Sequence, residues 1–393
     1  MLHLLSPPTH LCKQDSRIVA TAFFSNLYNT GSLELLDITS SSAVSPIEMV
    51  LKVVLFLVAT TLWGQSLAGL LNSFSADNDF TAAYLMDSMF GIVTNNTKSI
   101  LNGDSTNPIE VDVKFFCGNR NAPSLEATTI DDGSLEGKID TSKPLVLVIH
   151  GWLDNSSRNW MKLMAADYLQ FVDTNVCLVD WGNLAIYGYA LAANHTYAVG
   201  DYVAEFVSYL SGQGISLSKV TLVGHSMGAQ ISGQAGMKLG GQVGAIYGLD
   251  PASPLFKMPF DVGTSRRLDK SDAKYVQMII TSRCTWGVCV GDGHENFYPN
   301  GGLVPQPNCV VPVFSNAETP EPISCSHCHA YTLFRMSLNP KNVFNGKKCS
   351  GFVAYTAMAC LFNPTSKMGI YSRRLGGDFY MLTRPVQPFT PIL

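Results

Sequence analysis

The segment at 219–239, KVTLVGHSMGAQISGQAGMKL, constrains this chain more than any other. Residues 220–223 form a short apolar run suited to a buried strand. Gly224-His225-Ser226-Met227-Gly228 follows, and then Ala, Gln, Met and Lys residues that favour a helix. A Gly-x-Ser-x-Gly set between a strand and a helix marks a nucleophile elbow. The turn is so tight that glycines on both flanks avoid clashes with neighbouring backbone, and the serine oxygen is left exposed. An ordinary glycine-rich turn shares the five residues but not the flanks. Ser226 is therefore the expected nucleophile.

Two further stretches supply what an activated serine needs. Residues 144–149, PLVLVI, read as a buried strand ending in His150-Gly151-Trp152, upstream of the serine by about the distance an oxyanion loop requires. Acyl transfer needs two backbone N–H groups aimed at the oxygen that becomes negative. Met227, the residue after the nucleophile, and Trp152 are the candidates. His150 reads as a structural histidine holding this loop, since a base should follow the serine in this chain order. The strand-like run 243–249 ends in Asp250-Pro251, 24 residues beyond Ser226. A carboxylate there can orient an imidazole and stabilise its cation, although a plain Asp-Pro turn looks the same. Downstream, His294, His327 and His329 compete as the base. His294 precedes FYPNGG and looks like loop architecture. His327 lies in Cys325-Ser-His-Cys-His-Ala-Tyr, where a disulfide at Cys325 would hold the loop and a helix follows. Spacing favours His327 without excluding the other two.

The N-terminal 68 residues stand apart. From Met49 the chain reads MVLKVVLFLVATTLWGQSLA, with one lysine (Lys52), an apolar run at 53–62 and the exit Ser66-Leu67-Ala68. That order is expected of a secretory signal cleaved after Ala68. The run is roughly half the ~20 residues a membrane span needs. Signals normally begin at the first Met, so residues 1–48, with a Ser-rich stretch at 39–45, read as an upstream extension absent from the mature protein. A single domain over 69–393 is expected, with an uncleaved signal-anchor as the alternative if Met1 is used.

Export permits disulfides. Ten cysteines are present, and setting Cys12 aside leaves nine. Sequence proximity suggests Cys284–Cys289, Cys309–Cys325 and Cys349–Cys360, with Cys117–Cys177 remaining and Cys328 left over. A metal cluster around Cys325, His327, Cys328 and His329 lacks a second ligand pair at zinc-finger spacing, so no metal is expected. Sequons at Asn95, Asn155 and Asn194 fit a secreted, glycosylated surface. Hydrophobic residues at 46% against 14% charged exclude a disordered chain. A net charge of −4 gives no general attraction to phosphate backbones, so nucleic acid is not an expected partner.

GHSMGAQISGQAG, GLDPASPLF, GHENFYPNGG, the Cys-Ser-His segment and the terminal KMGIYSRR…DFYMLTRP together resemble the pancreatic-lipase family. More narrowly they resemble its insect-type members, lipases and phospholipases A1 that lack the C-terminal lipid-binding domain. The similarity runs from roughly Asn107 to the end. It implies an α/β-hydrolase fold, a mostly parallel central sheet flanked by helices. Residue by residue it implies Ser226 as nucleophile, Asp250 as acid and His327 as base, with Trp152 and Met227 at the oxyanion positions. Two departures stand out. The family's Arg two places after the catalytic histidine is His329 here, with Cys328 between. Some members also bind a structural calcium near an Arg-x-Asp-x-x-Asp segment; Arg267, Asp269 and Asp272 are present, but the acidic residue expected just before them is Thr264. One carboxylate fewer weakens a site for a hard cation, so neither calcium nor another cofactor is expected.

The resemblance also places a lid between two cysteines just before the catalytic histidine, here Cys309 and Cys325 around VVPVFSNAETPEPIS. That segment is short, and Pro312, Pro320 and Pro322 disfavour a long amphipathic helix. The loop at 281–293 is short as well. Short loops resemble the phospholipase A1 branch, whose more open site admits bulky polar head groups. The expectation is therefore a secreted phospholipase A1 meeting its lipid at a membrane, droplet or micelle surface. Trp286, Val310, Val313 and Phe314 are the candidate lipid contacts, with Val288, Val290 and Val311 beside them, although routine packing under a loop would use the same residues. The alternatives are a triacylglycerol lipase and a catalytically weak yolk or lipid-carrier protein; retention of Ser226, Asp250 and His327 together argues against the second. Without a C-terminal domain no colipase-like partner is expected, and the sequence sets no oligomeric state.

Overall fold

A computed structural model describes residues 105–133, 135–310 and 322–391. The signal segment 49–68, the extension before it, Asn95, and Val313 and Phe314 of the lid lie outside the described residues.

The chain opens with strands β1 (Lys114–Asn119), β2 (Ala122–Thr128) and β3 (Leu145–Ile149). Helix α1 (Asn159–Phe171), strand β4 (Asn175–Asp180) and helix α2 (Tyr189–Gly212) come next. Strand β5 (Val220–His225), helix α3 (Met227–Lys238) and strands β6 (Ala245–Leu249), β7 (Val276–Ile279) and β8 (Glu295–Pro299) follow. Helix α4 (Pro322–Ser337), β9 (Asn345–Lys348), the short helix α5 (Phe352–Thr356), β10 (Thr365–Lys367) and β11 (Gly377–Met381) complete the described chain.

These strands make one eleven-stranded sheet in the order β10-β9-β11-β8-β7-β6-β5-β3-β4-β1-β2. From β11 through β4 the neighbours are parallel, and antiparallel pairing is confined to the two edges. The central strands explain why the sheet lies inside: β3 (LVLVI) and β6 (AIYGL) are buried at every position. Parallel strands covered on both faces read as continuous apolar runs of this kind. Successive side chains alternate between faces. Leu147, Ile149 and Leu222 join Val203, Phe206 and Ile231 of α2 and α3 on one side. Val146, Val148 and Val223 meet Trp160, Met164, Tyr331 and Phe334 of α1 and α4 on the other.

Four disulfides match the expected pairs: Cys117–Cys177, Cys284–Cys289, Cys309–Cys325 and Cys349–Cys360. The first joins β1 to β4 at positions directly opposite in register. Cys328 departs from expectation, because it too is disulfide-bonded and no described cysteine is left as a thiol. A second correction concerns the histidine segment. The helix expected after His327 already begins at Pro322 and carries His327 within it. Proline's fixed φ suits the first helical position, where its missing N–H costs nothing.

Candidate active site

Ser226 sits where β5 turns into α3, with φ 56° and ψ −121°. An L residue avoids this region unless its surroundings hold it there. They do: its N–H donates to the Leu249 carbonyl at 3.1 Å, and its own carbonyl accepts from Ala229 at 3.0 Å and Ala252 at 3.2 Å. The flanking glycines are a matter of space. A Cβ on Gly224 would lie 2.1 Å from the Gly228 carbonyl oxygen, and one on Gly228 would lie 2.2 Å from that of Ile149.

Asp250, the expected acid, arrives through the sheet. The parallel pairing of β5 with β6 sets His225 opposite Leu249, so Asp250 leaves its strand beside Ser226. The Asp250 N–H donates to Ile279 of β7 at 2.7 Å, and its φ of 46° is also left-handed. The carboxylate is fully buried. It accepts from the N–H groups of Thr281 at 2.8 Å and Ser282 at 3.1 Å, from the Ser282 hydroxyl, and from His327 Nδ1 at 2.6 Å. A buried carboxylate is tolerated only with such a set of donors. Gly287 closes the cage, since a Cβ there would lie 2.3 Å from Asp250 Oδ1. Its N–H donates to Ser282 Oγ at 3.0 Å. Ser282 and Gly287 escaped the sequence reading, where only the shortness of their loop was visible.

His327 Nδ1–H donates to Asp250, which leaves Nε2 as an acceptor. His225 Nε2–H donates to the His327 carbonyl at 3.2 Å, and the two rings lie 4.5 Å apart. Burial, with His327 alongside, pushes the His225 pKa well below the ordinary histidine range. His327, the expected base, therefore stands against the residue adjoining Ser226. Among the described residues no hydrogen bond joins the Ser226 hydroxyl to the imidazole. Resting sites commonly tighten this contact only with substrate in place. Trp286 packs edge-on to His327 at 5.4 Å, and its indole Nε1 has no partner among the described residues.

The loop expected to supply an oxyanion donor lies on the other side of the serine. A Cβ on Gly151 would sit 2.8 Å from Ser226 Cβ. Among the described residues, the main-chain N–H groups of Trp152 and Met227 are taken up by no protein acceptor. Met227 is the first residue of α3, where the helix presents unsatisfied donors and the positive end of its dipole. His150 is structural, as expected, and its role is specific. Its Nδ1–H donates to the Gly151 carbonyl at 2.8 Å, while Nε2 accepts from the Trp181 N–H at 3.1 Å. The Gly151 carbonyl and the Trp152 N–H share one peptide plane, so His150 sets the direction of that donor. The Trp152 indole is itself tied to the Tyr187 carbonyl at 2.7 Å.

The competing histidines are engaged elsewhere. His294 Nδ1 accepts from the Val276 N–H at 2.9 Å at the start of β8. His329 is buried edge-on to Phe389 at 4.9 Å, its ring nitrogens without partners among the described residues. Burial lowers its pKa to about 3. Of the expected lipid contacts, Val310 and Val290 are exposed, but Val288 is buried with the α2–α3 side of the core. Arg267 holds Asp261 and Asp292, each at 2.6 Å, and Asp269 and Asp272 cap one turn reciprocally.

Residues 90–389 match the family model Lipase. The chain is 32% identical to pancreatic triacylglycerol lipase of Homo sapiens over 311 residues, covering 72% of this chain and 66% of that protein. It is 37% identical to hepatic triacylglycerol lipase of Rattus norvegicus over 279 residues, 64% of this chain and 55% of that protein. It thus spans between about half and two thirds of the length of these relatives. Among solved structures, a phospholipase/carboxylesterase from Dyadobacter fermentans aligns with a TM-score of 0.30 and 12% identity, over 48% of this chain and 75% of that one.

Proposed function

The chain belongs to the lipase family and has the α/β-hydrolase fold, and from that premise we propose that it cleaves carboxyl esters of lipids through Ser226, His327 and Asp250. One observation carries the reading: His327 Nδ1 meets the caged Asp250 carboxylate at 2.6 Å, at the strand end beside the elbow serine. His327 Nε2 takes the Ser226 proton as the hydroxyl attacks the ester carbonyl. Asp250 keeps the imidazole in the tautomer that can accept it and stabilises the cation formed. The Trp152 and Met227 amides receive the developing oxyanion, each worth about 10²–10³ in rate by analogy with other oxyanion donors. The alcohol departs with the proton from His327, and water repeats the sequence on the acyl-enzyme. No step calls on a cofactor.

For the substrate we favour a phospholipid cleaved as by a phospholipase A1. The short spans closed by Cys309–Cys325 and Cys284–Cys289, whose cysteines stand 16 and 5 positions apart in sequence, support it. A triacylglycerol lipase is the second reading, favoured by the relatives' names. The four disulfides support an extracellular enzyme. The test is fatty-acid release from phosphatidylcholine and triolein side by side, with a soluble short-chain ester as reference. Ser226→Ala is expected to abolish turnover of all three. Retained ester turnover would overturn the triad, and equal or greater release from triolein would overturn the phospholipase preference.

A further inference from the structure

The stretch from α4 onward has a composition unlike the rest of the chain. Between Glu321 and Asp378 it contains no Asp or Glu, although the whole protein is net acidic at −4. Apart from Arg335, which lies 2.8 Å from Asp167, its cations are Lys341, Lys347, Lys348, Lys367, Arg373 and Arg374. Among the described residues none of these six forms an ion pair with a carboxylate.

The same stretch holds a concentration of exposed apolar side chains. Phe362 is 97% exposed, Val353 75%, Met358 74% and Leu361 59%. All four fall within ten residues, on and after α5, so they form no random scatter of the kind any surface carries. The backbone beneath them is fastened down. Cys349–Cys360 closes the loop, and Lys347 Nζ donates to the carbonyls of Leu361 at 3.0 Å and Asn363 at 3.1 Å. Phe352 packs on Gly301, where a Cβ would come within 2.6 Å of its ring. Gly301 follows β8 at its C-terminal end, and β8 runs parallel to β5 and β6, whose C-terminal ends carry Ser226 and Asp250.

We propose that the loop 352–362, with the lysines of the flanking strands β9 and β10, is a second lipid-contacting surface that docks this enzyme onto anionic phospholipid bilayers, apart from the segment between Cys309 and Cys325. Exposed Phe, Leu, Met and Val side chains enter the boundary between head groups and acyl chains, as on interfacial segments generally. Lys348 and Lys367, on the paired strands β9 and β10 that bracket the loop, form no ion pair among the described residues and are drawn to the negative surface of such a bilayer. Arg374 instead stacks over Tyr275 at 4.5 Å, and Arg373 donates to the Thr365 carbonyl at 3.2 Å. Neither feature alone selects this occupant: a polyanionic chain would use the cations and leave Phe362 in water, and a second copy would use the apolar residues without the cations. The choice of a lipid occupant rests on the reading of this chain as acting on lipids. Binding is measured apart from turnover, so either reading can fail alone.

The test uses the full chain carrying Ser226→Ala and co-sedimentation with phosphatidylcholine vesicles, with or without about one-fifth phosphatidylglycerol. Tighter binding to the anionic vesicles, weakening as salt is raised, is expected. Met358→Ser, Leu361→Ser and Phe362→Ser combined should weaken partition by about tenfold or more, with soluble-ester turnover unchanged in the Ser226 parent. Lys348→Gln and Lys367→Gln combined should erase the preference for anionic vesicles. Three results overturn the proposal: equal partition of the apolar variant and its parent, absence of vesicle binding by the parent, or a lipid-free dimer that the apolar substitutions dissolve while partition persists. Capture on an anionic polysaccharide that ignores the apolar substitutions, without vesicle binding, would assign the cations to that ligand instead.

Discussion

Gly287→Ala offers the sharpest probe of the acid's cage. The new Cβ would start 2.3 Å from Asp250 Oδ1, about 1 Å short of ordinary contact. Gly287 is not in the left-handed region, so its backbone accepts alanine and the conflict falls on the carboxylate. If Asp250 yields by that 1 Å, the 2.6 Å bond to His327 Nδ1 opens to about 3.6 Å, beyond a hydrogen bond. A misplacement of about 1 Å typically costs about 10² in rate, and loss of the acid's orienting role about 10⁴ in serine hydrolases. The variant should therefore lose about 10²–10⁴ in kcat on a soluble short-chain ester, with KM within about twofold. The methyl also crowds a filled site, worth about 1–3 kcal/mol of stability, so denaturant melts accompany the kinetics. Asp250→Ala separates cause from coincidence. In that background Gly287→Ala has no carboxylate to displace and should cost nothing further. Activity within about threefold of the parent, or an undiminished loss without Asp250, refutes the cage.

Two further outcomes follow from buried histidines. His150→Phe removes the donor that holds the Gly151 carbonyl, so kcat should fall about 10²-fold through the Trp152 amide, with His150→Asn, which can offer a side-chain N–H, recovering part of it; KM losses with intact kcat would show that the histidine merely shapes binding. His329→Leu should flatten the acid side of the stability profile. Burial puts the folded pKa of His329 at about 3 against an unfolded value near 6.5. Only the unfolded chain gains this proton as pH falls, so the stability fully present above pH 6.5 drains away toward pH 3. Parent and variant should diverge by about 2 kcal/mol between pH 6.5 and 5 in urea melts. Asp272, which burial raises to about 7, acts in the opposite direction and is common to both proteins, so it cancels. Parallel curves would mean that His329 is not buried as described.

The parts of the site legible in the sequence are those whose constraint is local. Gly224 and Gly228 are demanded by backbone within four residues or on the next strand, and apolar runs such as 145–149 announce their own burial. The partner of Asp250 is less legible, because spacing alone leaves His294, His327 and His329 open. The fold separates the last two by winding them into α4. Two residues on a helix differ by about 200° around the axis, so His327 reaches Asp250 while His329 turns toward Phe389. Thr281, Ser282 and Gly287 were invisible for a different reason. They stand 31 to 37 positions beyond Asp250 and meet it only because β6 and β7 pair in one register. No local pattern records that meeting.

The same register explains why the site tolerates strain at two adjacent strand ends. Ser226 and Asp250 both hold positive φ, a cost of about 1–3 kcal/mol each. Relaxing either would break bonds on more than one element. Ser226 is held by β6 through Leu249 and by the Ala252 turn, and Asp250 by β7 through Ile279 and by two amides of the following loop. Each residue is thus fixed by the strand next to its own. The position of Ser226 depends on β6 and that of Asp250 on β7, so a shift in either pairing would misalign both residues together. Precision here comes from the sheet, and the loops add the donors and exclusions that hold the aligned groups in place.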